Sequence, residues 1–151
     1  MAVLVIAEHD NQVLKTSTLN TITAAQKINN EIHLIILGKD IEALANTSKS
    51  IHTLSKVLKC DNEELENFLP EILAPIIAKI SKSYSHILAP ASTFGKNLLP
   101  RISALLDTTQ VSDIIGIENE NTFIRPIYAG NAISHVQTNQ EINLLLSLIH
   151  I

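Results

Sequence analysis

The stretch Ala89-Pro90-Ala91-Ser92-Thr93-Phe94-Gly95-Lys96-Asn97-Leu98-Leu99-Pro100-Arg101 directly follows an apolar run at residues 84–88. The run predicts a buried strand, and the small residues after it predict a turn into a helix. α/β proteins bind ligands at such places, because hydroxyls and unpaired backbone N–H groups meet there at the positive end of a helix dipole. The spacing is neither that of a Walker loop nor that of a Gly-x-Gly-x-x-Gly turn, so the pattern alone names no nucleotide.

Four residues of this turn are candidate cofactor-binding residues: Ser92, Thr93, Gly95 and Lys96. The hydroxyls and the ammonium group suit an anion or the side of a flavin, and Gly95 permits the close approach of a backbone. The structural alternative is a helix cap followed by a solvated first turn, since Ser and Thr are preferred N-cap residues. Both interpretations stay open at this point.

Composition limits the class of protein. A chain of 151 residues fits one domain with a substantial core. The formal net charge of −4, with three Phe, two Tyr and no Trp, argues against a nucleic-acid partner, because phosphate neutralisation and base stacking lack their residues. Cys60 is the only cysteine, which excludes an internal disulfide, and we expect it to be a packed residue rather than a nucleophile. No Cys/His cluster has the spacing of a zinc site, so no metal is expected.

The N-terminal run at residues 1–7 is short and apolar and is followed at once by Glu8, His9 and Asp10. It has no basic leader and no small-residue cleavage site, so it predicts a buried first strand and no targeting segment. No run approaches the roughly 18 apolar residues that span a bilayer. We therefore expect a soluble protein.

Strand-like and helix-like segments alternate over the first two thirds of the chain. Strands are predicted at residues 3–7, 32–37, 55–60 and 84–88. Helices are predicted from a cap at Thr18, over 41–45, from the acidic cluster at 61–66 to residue 82, and over 98–106. Short β-like runs follow at 114–117, 122–127, 132–136 and 142–149, separated by turn residues. The order predicts an α/β fold, mainly a parallel sheet flanked by helices, with a C-terminal antiparallel β addition.

Four blocks carry a resemblance to a known family: residues 89–101, 104–107, 111–114 and 123–132, the last of which reads Phe-Ile-Arg-Pro-Ile-Tyr-Ala-Gly-Asn-Ala. In order and spacing they resemble the N-terminal domain of the electron transfer flavoprotein alpha subunit, and residues 1–8 resemble that family's opening strand. The resemblance implies a nucleotide-binding-like fold of the adenine nucleotide alpha hydrolase type. It also implies that residues 1–151 form this N-terminal domain, without the family's C-terminal FAD-binding domain.

The function that this resemblance implies is electron carriage rather than enzyme catalysis. In the family, an alpha and a beta subunit form a heterodimer with one FAD, which accepts electrons from acyl-CoA dehydrogenases of fatty acid beta-oxidation and related enzymes. The electrons pass to a membrane quinone oxidoreductase. The alpha N-terminal domain is mainly a scaffold against the beta subunit, and most FAD contacts come from the C-terminal domain. We therefore expect no cofactor on this chain alone, and a place in the bacterial cytoplasm or the mitochondrial matrix.

The last of the four blocks supplies candidate partner contacts: Arg125, Tyr128 and Asn131. Pro126 lacks a backbone donor and so predicts an edge or a bulge, while Gly130 and Asn131 tolerate positive φ. A turn that only closes a ribbon explains the same residues. A contact surface for another subunit and a plain turn are thus both compatible with the block.

Two histidines and one arginine have separate expectations. His86 lies in a buried-looking strand, which favours a satisfied core histidine over a ligand. His9 follows the first strand, where folds of this class place ligands, although the sequence assigns it no titratable partner. For Arg101 we expect a structural pair with a carboxylate such as Asp107 or Asp113, and the alternative is ligand binding.

Two further functions stay open from the sequence. One is a freestanding adenine-nucleotide-binding module, similar to universal stress proteins, with its ligand at the strand ends near Ala7, His9 and Ser92. The other is a non-functional remnant. Binding of adenine nucleotides by the isolated chain separates the first of these from a scaffold.

Overall fold

The computed structural model describes residues 1–150. Its elements, in chain order, are β1 (Ala2–Ile6), α1 (Thr16–Gln26), β2 (Ile32–Gly38), α2 (Glu42–Ser48), β3 (Lys56–Asp61), a 3-10 turn (Glu63–Leu65), α3 (Pro70–Ser81), β4 (Tyr84–Pro90), α4 (Thr93–Leu105), β5 (Gln110–Ile114), β6 (Gly116–Asn119), β7 (Thr122–Ile127), β8 (Ala132–Gln137) and β9 (Asn143–Ser147). The strands predicted at the N-terminus and at residues 32–37, 55–60 and 84–88 are all present, with small shifts at their ends.

Six strands form a parallel sheet in the order β3-β2-β1-β4-β9-β5. The chain starts in the middle, winds outward to β3, and returns to place β4 on the other side of β1. The gap between the carboxyl ends of β1 and β4 is therefore the topological switch point, where open sheets of this kind bind ligands. All residues of β1 and β9 are buried, as expected of strands that are covered on both faces. The predicted α/β fold is confirmed.

Helices cover both faces of the parallel sheet. α3 and α4 pack on one face, with Leu73, Ile77 and Ile102 against Leu4 and Ile6 of β1. α1 and α2 pack on the other face. Their contributions to that second cluster include Ile22, Ala25 and Leu44, which meet Val3 and Val5. The alternation of β1 side chains between the two faces follows from the period of two along a strand.

The antiparallel addition is a three-stranded sheet in the order β6-β7-β8. It lies between β5 and β9 in sequence, and those two strands are parallel neighbours in the main sheet. Parallel neighbours need a long crossover, which is usually a helix. Here the antiparallel sheet serves as that crossover. It therefore lies on the same face of the main sheet as α1 and α2.

One prediction about the C-terminal part is wrong in detail. The run at 142–149 was expected among the antiparallel additions, but β9 inserts between β4 and β5 in the parallel sheet. The run at 114–117 also divides, because the chain leaves one sheet and enters the other. Asp113 has a φ of 57° at this change of direction, and the Ile115 N–H donates to the Ile124 carbonyl at 2.8 Å.

Phe123 joins the antiparallel sheet to the parallel one. Its side chain is fully buried in the same apolar cluster as Val5, Leu88 and Leu145. Ile133 of the neighbouring strand β8 belongs to the opposite face of this small sheet, opposite Pro126, and is 54% exposed. Alternation along β7 and β8 thus gives one buried face and one outward face.

His86 makes a second link between the two sheets. Its Nε2 donates to the Glu120 carbonyl in the β6–β7 turn, and its Nδ1 lies 2.8 Å from the Ser85 hydroxyl. The imidazole ring packs edge to face on Phe123, with ring centroids 6.4 Å apart. Burial lowers the pKa of His86 below its ordinary value. The expectation of a satisfied core histidine is confirmed.

Two predicted helix starts are wrong. Thr18 is not the cap of α1, which begins at Thr16; its hydroxyl instead bonds both the N–H and the carbonyl of Glu8, each at 2.8 Å. The acidic cluster at 61–66 does not begin α3. That helix starts at Pro70. Proline suits this position, because the backbone N–H that it lacks would have no partner in the first turn of a helix.

The acidic cluster has another role. The Asp61 carboxylate accepts hydrogen bonds from the backbone N–H groups of Asp40 and Ile41, at 2.9 and 3.0 Å. These residues immediately precede α2, so a carboxylate from β3 lies at the positive end of that helix. Asn62 accepts from the Glu64 N–H and caps the 3-10 turn.

Replacing Phe123 by alanine tests the link between the sheets. We expect Phe123→Ala to lower the free energy of unfolding by about 3–5 kcal/mol, because it leaves a cavity in a closed apolar cluster. The matched control Ile133→Ala, on the outward face, is expected to change it by less than about 0.5 kcal/mol. Urea denaturation measures both variants. Equal small losses would contradict the assignment of the buried face.

A second prediction concerns pH. The pKa values of His86 and His9 are both lowered by burial, so the unfolded chain binds more protons than the folded one below about pH 6.5. Stability is therefore expected to fall as the pH decreases through and below about 6.5. The change in urea midpoint between pH 7.5 and 5.5 should be smaller in His86→Gln than in the wild-type chain. An identical change in both proteins would contradict the role of His86.

Candidate functional site

The turn after β4 is built as a helix start. Ser92 is the N-cap of α4, and its hydroxyl accepts from the Gly95 N–H at 3.3 Å. A Cβ on Gly95 would stand 1.9 Å from the Pro90 carbonyl oxygen, so only glycine lets the helix approach the strand end this closely. The local geometry of these two residues matches the structural alternative, in which they cap and pack α4.

The other two candidates of this turn point to solvent. Thr93 is exposed, and the Lys96 ammonium lies 3.9 Å from the Asp113 carboxylate near the end of β5. The structure therefore does not bring Ser92, Thr93, Gly95 and Lys96 around one cavity. Arg101 pairs with the carboxylate of Glu71 in α3 at 3.2 Å, so the expected structural pair is present, but its partner is neither Asp107 nor Asp113. The partner of Arg101 comes from the helix that packs beside its own.

A small cavity of about 100 Å³ lies at the carboxyl ends of β4 and β9. Its walls come from the strand ends, from the start of α4 and from the first turns of α1, and its lining includes Pro90, Ser92, Ser147, Ser17 and Asn20. Ser92 is the member of the candidate set that reaches this cavity. Drug-sized ligand sites usually have about 300–1,000 Å³, so this space is small for a nucleotide.

Glu8 fills the switch point itself. The residue is buried directly after β1, at the start of α1, where a nucleotide phosphate would be expected. Its Oε1 accepts from the Ser17 hydroxyl at 2.8 Å, and its Oε2 lies 3.7 Å from the Lys15 ammonium. The protein's own carboxylate thus occupies the positive end of the helix dipole, and it would repel a second anion.

Glu8 was not among the residues predicted from the sequence to form this site. The pattern that points to it is simple: an acidic residue follows the first strand at once, and a lysine and a serine follow within ten residues. Between Glu8 and these two residues the chain forms a loop. The two ends of this loop lie side by side, because His9 pairs with Leu14 in an antiparallel bridge. Sequence spacing alone does not show such a closure.

His9 is a structural residue of the same loop. Its Nε2 donates to the Leu37 carbonyl at 2.9 Å, and its Nδ1 accepts from the Asn11 N–H at 2.9 Å. Its ring packs edge to face on Phe68, with centroids 4.9 Å apart. Burial lowers its pKa, which favours the neutral ring that this bonding needs. Both ring nitrogens are used, so none is left for a ligand.

The three partner-contact candidates lie on one hairpin, formed by β7 and β8. Arg125 is half-buried, and its Nε donates to the Ser112 carbonyl at 2.8 Å. Tyr128 and Asn131 are exposed and belong to the turn between the strands. Tyr128 is 79% exposed, and its carbonyl accepts from the Asn131 N–H at 3.1 Å. Tyr128 and Asn131 therefore lie in one turn, and Arg125 lies three residues before Tyr128.

The backbone of this turn differs from the expectation. Gly130 has positive φ as predicted, at 89°, but Asn131 does not. Tyr128 and Ala129 adopt the left-handed conformation instead, at 52° and 53°. Both residues carry a Cβ, which makes this conformation unfavourable by about 1–2 kcal/mol per residue.

Other chemistry-bearing groups have structural surroundings. Cys60 is half-buried and packs against the cluster under α3 and α4. Within residues 1–150, no group of three or more His, Cys, Asp or Glu residues is placed to hold a metal ion. In the same part of the chain, no helix has the length and apolar character needed to cross a membrane.

Comparisons with known proteins agree with the architecture. The family model described as "Electron transfer flavoprotein domain" matches residues 3–147. The chain is 48% identical over 145 residues to the electron transfer flavoprotein subunit alpha of Pseudomonas aeruginosa, covering 96% of this chain and 47% of that protein. It is 44% identical to the mitochondrial alpha subunit of Dictyostelium discoideum, covering 91% of this chain and 41% of that protein.

A third relative, the probable mitochondrial alpha subunit of Caenorhabditis elegans, is 38% identical over 144 residues, covering 94% of this chain and 43% of that protein. The chain thus spans less than half the length of these curated relatives. The predicted resemblance is confirmed by both kinds of comparison, and it extends along almost the whole chain. The chain belongs to the electron transfer flavoprotein family and corresponds to the N-terminal domain of its alpha subunit.

Proposed function

We propose that this chain is the scaffold part of an electron transfer flavoprotein alpha subunit. With a beta subunit, such a protein would carry electrons from acyl-CoA and related dehydrogenases to a quinone oxidoreductase through FAD. The observation that carries the proposal is the 48% identity to a protein named as an alpha subunit, over 96% of this chain. The chain would act in a carrier and would not itself catalyse a reaction.

The carboxyl edge of the sheet does not fit FAD or AMP. The cavity at β4 and β9 has about 100 Å³, and the buried carboxylate of Glu8 already occupies the start of α1. A pyrophosphate or a phosphate placed there would meet a like charge. In the proposal, the FAD of the assembly is therefore bound outside this chain.

The antiparallel sheet offers a surface for a partner subunit. We define the outer sheet surface as Tyr128 and Ile133, which are 79% and 54% exposed. Tyrosine is enriched at the centres of protein interfaces, because it combines a large contact area with a polar end. The strained turn at Tyr128 and Ala129 holds the phenol away from the chain, and such strain often accompanies functional sites.

The proposal is tested by coexpression of this chain with an electron transfer flavoprotein beta subunit from the same source. The tagged chain should retain the beta subunit through affinity purification and gel filtration. A soluble monomer that does not bind the beta subunit would contradict the scaffold function.

The outer sheet surface has its own test. We expect Tyr128→Ala to weaken the association with the beta subunit about tenfold or more, because truncating a central aromatic residue costs 1–2 kcal/mol or more. The free energy of unfolding should stay nearly constant, since the side chain is 79% exposed. The matched control is Leu69→Ala, an exposed apolar residue beside α3 on the other face of the parallel sheet. Equal affinities of the two variants would contradict the placement of the surface.

Calorimetry distinguishes the scaffold from the adenine-nucleotide module. We expect no heat of binding when AMP, ATP or FAD is titrated into the isolated chain, because Glu8 closes the switch point. Glu8→Gln serves as a comparison, since it keeps the shape and removes the charge. Tight binding of an adenylate by the wild-type chain would overturn the scaffold function in favour of the module.

A further inference from the structure

Arg125 differs from the other arginine of the chain in having no ionic partner. Arg101 pairs with Glu71 on the surface, whereas the terminal amino groups of Arg125 make no hydrogen bond or ion pair with any residue from 1 to 150. Its Nε is nevertheless fixed, at 2.8 Å from the Ser112 carbonyl. Because one nitrogen is fixed, the orientation of this half-buried guanidinium is fixed as well. Its two terminal amino groups have the spacing to bind the two oxygens of a carboxylate.

A cavity of about 400 Å³ lies beside this fork. It runs between the main sheet and the antiparallel sheet, and its lining includes Gln110, Ser112, Arg125, Gln137 and Thr138. Asp113, the nearest acidic residue in sequence to Ser112, lies instead toward Lys96 and does not line the cavity. The guanidinium therefore faces a space lined by neutral residues.

Gln110 supplies a second, independent observation. Its Oε1 is buried without a hydrogen-bond partner, while its Nε2 donates to the Ser112 hydroxyl at 3.1 Å. A buried amide atom without a partner is unfavourable by about 1–3 kcal/mol. The Gln110 Nε2 has two N–H groups, and only one of them donates to Ser112, so the second can donate to a ligand. Two incompletely paired polar groups thus line one cavity.

We propose that this cavity, bounded by Arg125, Gln110 and Ser112, receives the carboxylate of an Asp or Glu side chain from the partner subunit. The inference rests on the proposed function. The carboxylate would accept from both terminal amino groups of Arg125 and from the second Nε2 N–H of Gln110. Arg125 lies on the same face of β7 as Phe123, so the carboxylate site lies between the two sheets, behind the outer sheet surface.

The single guanidinium favours a side chain over a free carboxylate as the occupant, because a small anion would find no second cation in this cavity. An ion pair that stays open to water contributes at most about 1 kcal/mol. A carboxylate delivered by a protein surface is dehydrated together with its surroundings, and the loss of one member of such a pair weakens binding far more.

Affinity for the beta subunit tests the site. We expect Arg125→Met to weaken binding about 30-fold or more, as estimated for the removal of one member of a buried charge pair. Arg125→Lys should restore only part of this, because it keeps the charge and loses the fork. Gln110→Met keeps the volume and should weaken binding by a smaller factor. Arg101→Met, which removes the surface pair with Glu71, is the matched control and should bind as the wild-type chain does.

The outcomes separate this inference from the proposed function. A wild-type chain that does not bind the beta subunit overturns both. Wild-type binding with unchanged affinity in Arg125→Met overturns the carboxylate site alone. If the arginine variants do not fold, judged by circular dichroism, Gln110→Met decides, and its unchanged affinity likewise overturns the site. Saturable NMR shifts of the Arg125 Nε–H with millimolar acetate would identify a free carboxylate as the occupant and overturn the assignment to a partner.

Discussion

The burial of Phe123 between the two sheets is the contact on which the C-terminal half of the structure depends. β5 and β9 are parallel neighbours, so the chain between them must cross over one face of the main sheet. The antiparallel sheet can make this crossing only if it buries an apolar face of its own, and Phe123 supplies the largest side chain of that face. His86 adds a polar link to the turn at Glu120. With the small sheet held in place, β9 can enter between β4 and β5.

The carboxyl edge of the sheet carries a carboxylate of the chain itself. The strand order creates a switch point between β1 and β4, and α1 begins beside it. Glu8 then places a carboxylate beside that helix start, held by Ser17 and Lys15. A phosphate placed there would meet a like charge. For this reason the proposed function assigns the partner subunit to the antiparallel sheet.

Local patterns predicted much of the fold. Continuous apolar runs identified the buried strands, because a strand covered on both faces needs apolar residues at every position. Pairings between distant segments were not predictable in the same way. The sequence at 142–149 is equally apolar whether the strand lies in a small antiparallel sheet or in the main one, and only the tertiary contacts of β4 and β5 decide. The acidic cluster at 61–66 resembled a helix start, yet Asp61 serves the start of a different helix through space.

The candidate site was predictable to a smaller extent. The Ser-Thr turn after a strand was predicted correctly. Whether its hydroxyls bind a ligand or a backbone N–H depends on small differences in side-chain orientation, which the sequence does not show. The exposed position of Tyr128 followed from the turn residues around it. The unpaired terminal amino groups of Arg125 could not be predicted, because they depend on which carboxylates lie near the guanidinium in the folded chain. Glu8 was missed because its partners become neighbours only when the loop after β1 folds back.

In the proposed function, the chain binds its partner through the antiparallel sheet and not through the carboxyl edge of its parallel sheet. Hydrogen–deuterium exchange of the chain, alone and with the beta subunit, measures where the partner binds. We expect new protection within residues 110–137, with unchanged exchange at residues 8–18 and 90–96. Protection centred on residues 8–18 and 90–96, with none in the antiparallel sheet, would contradict this function.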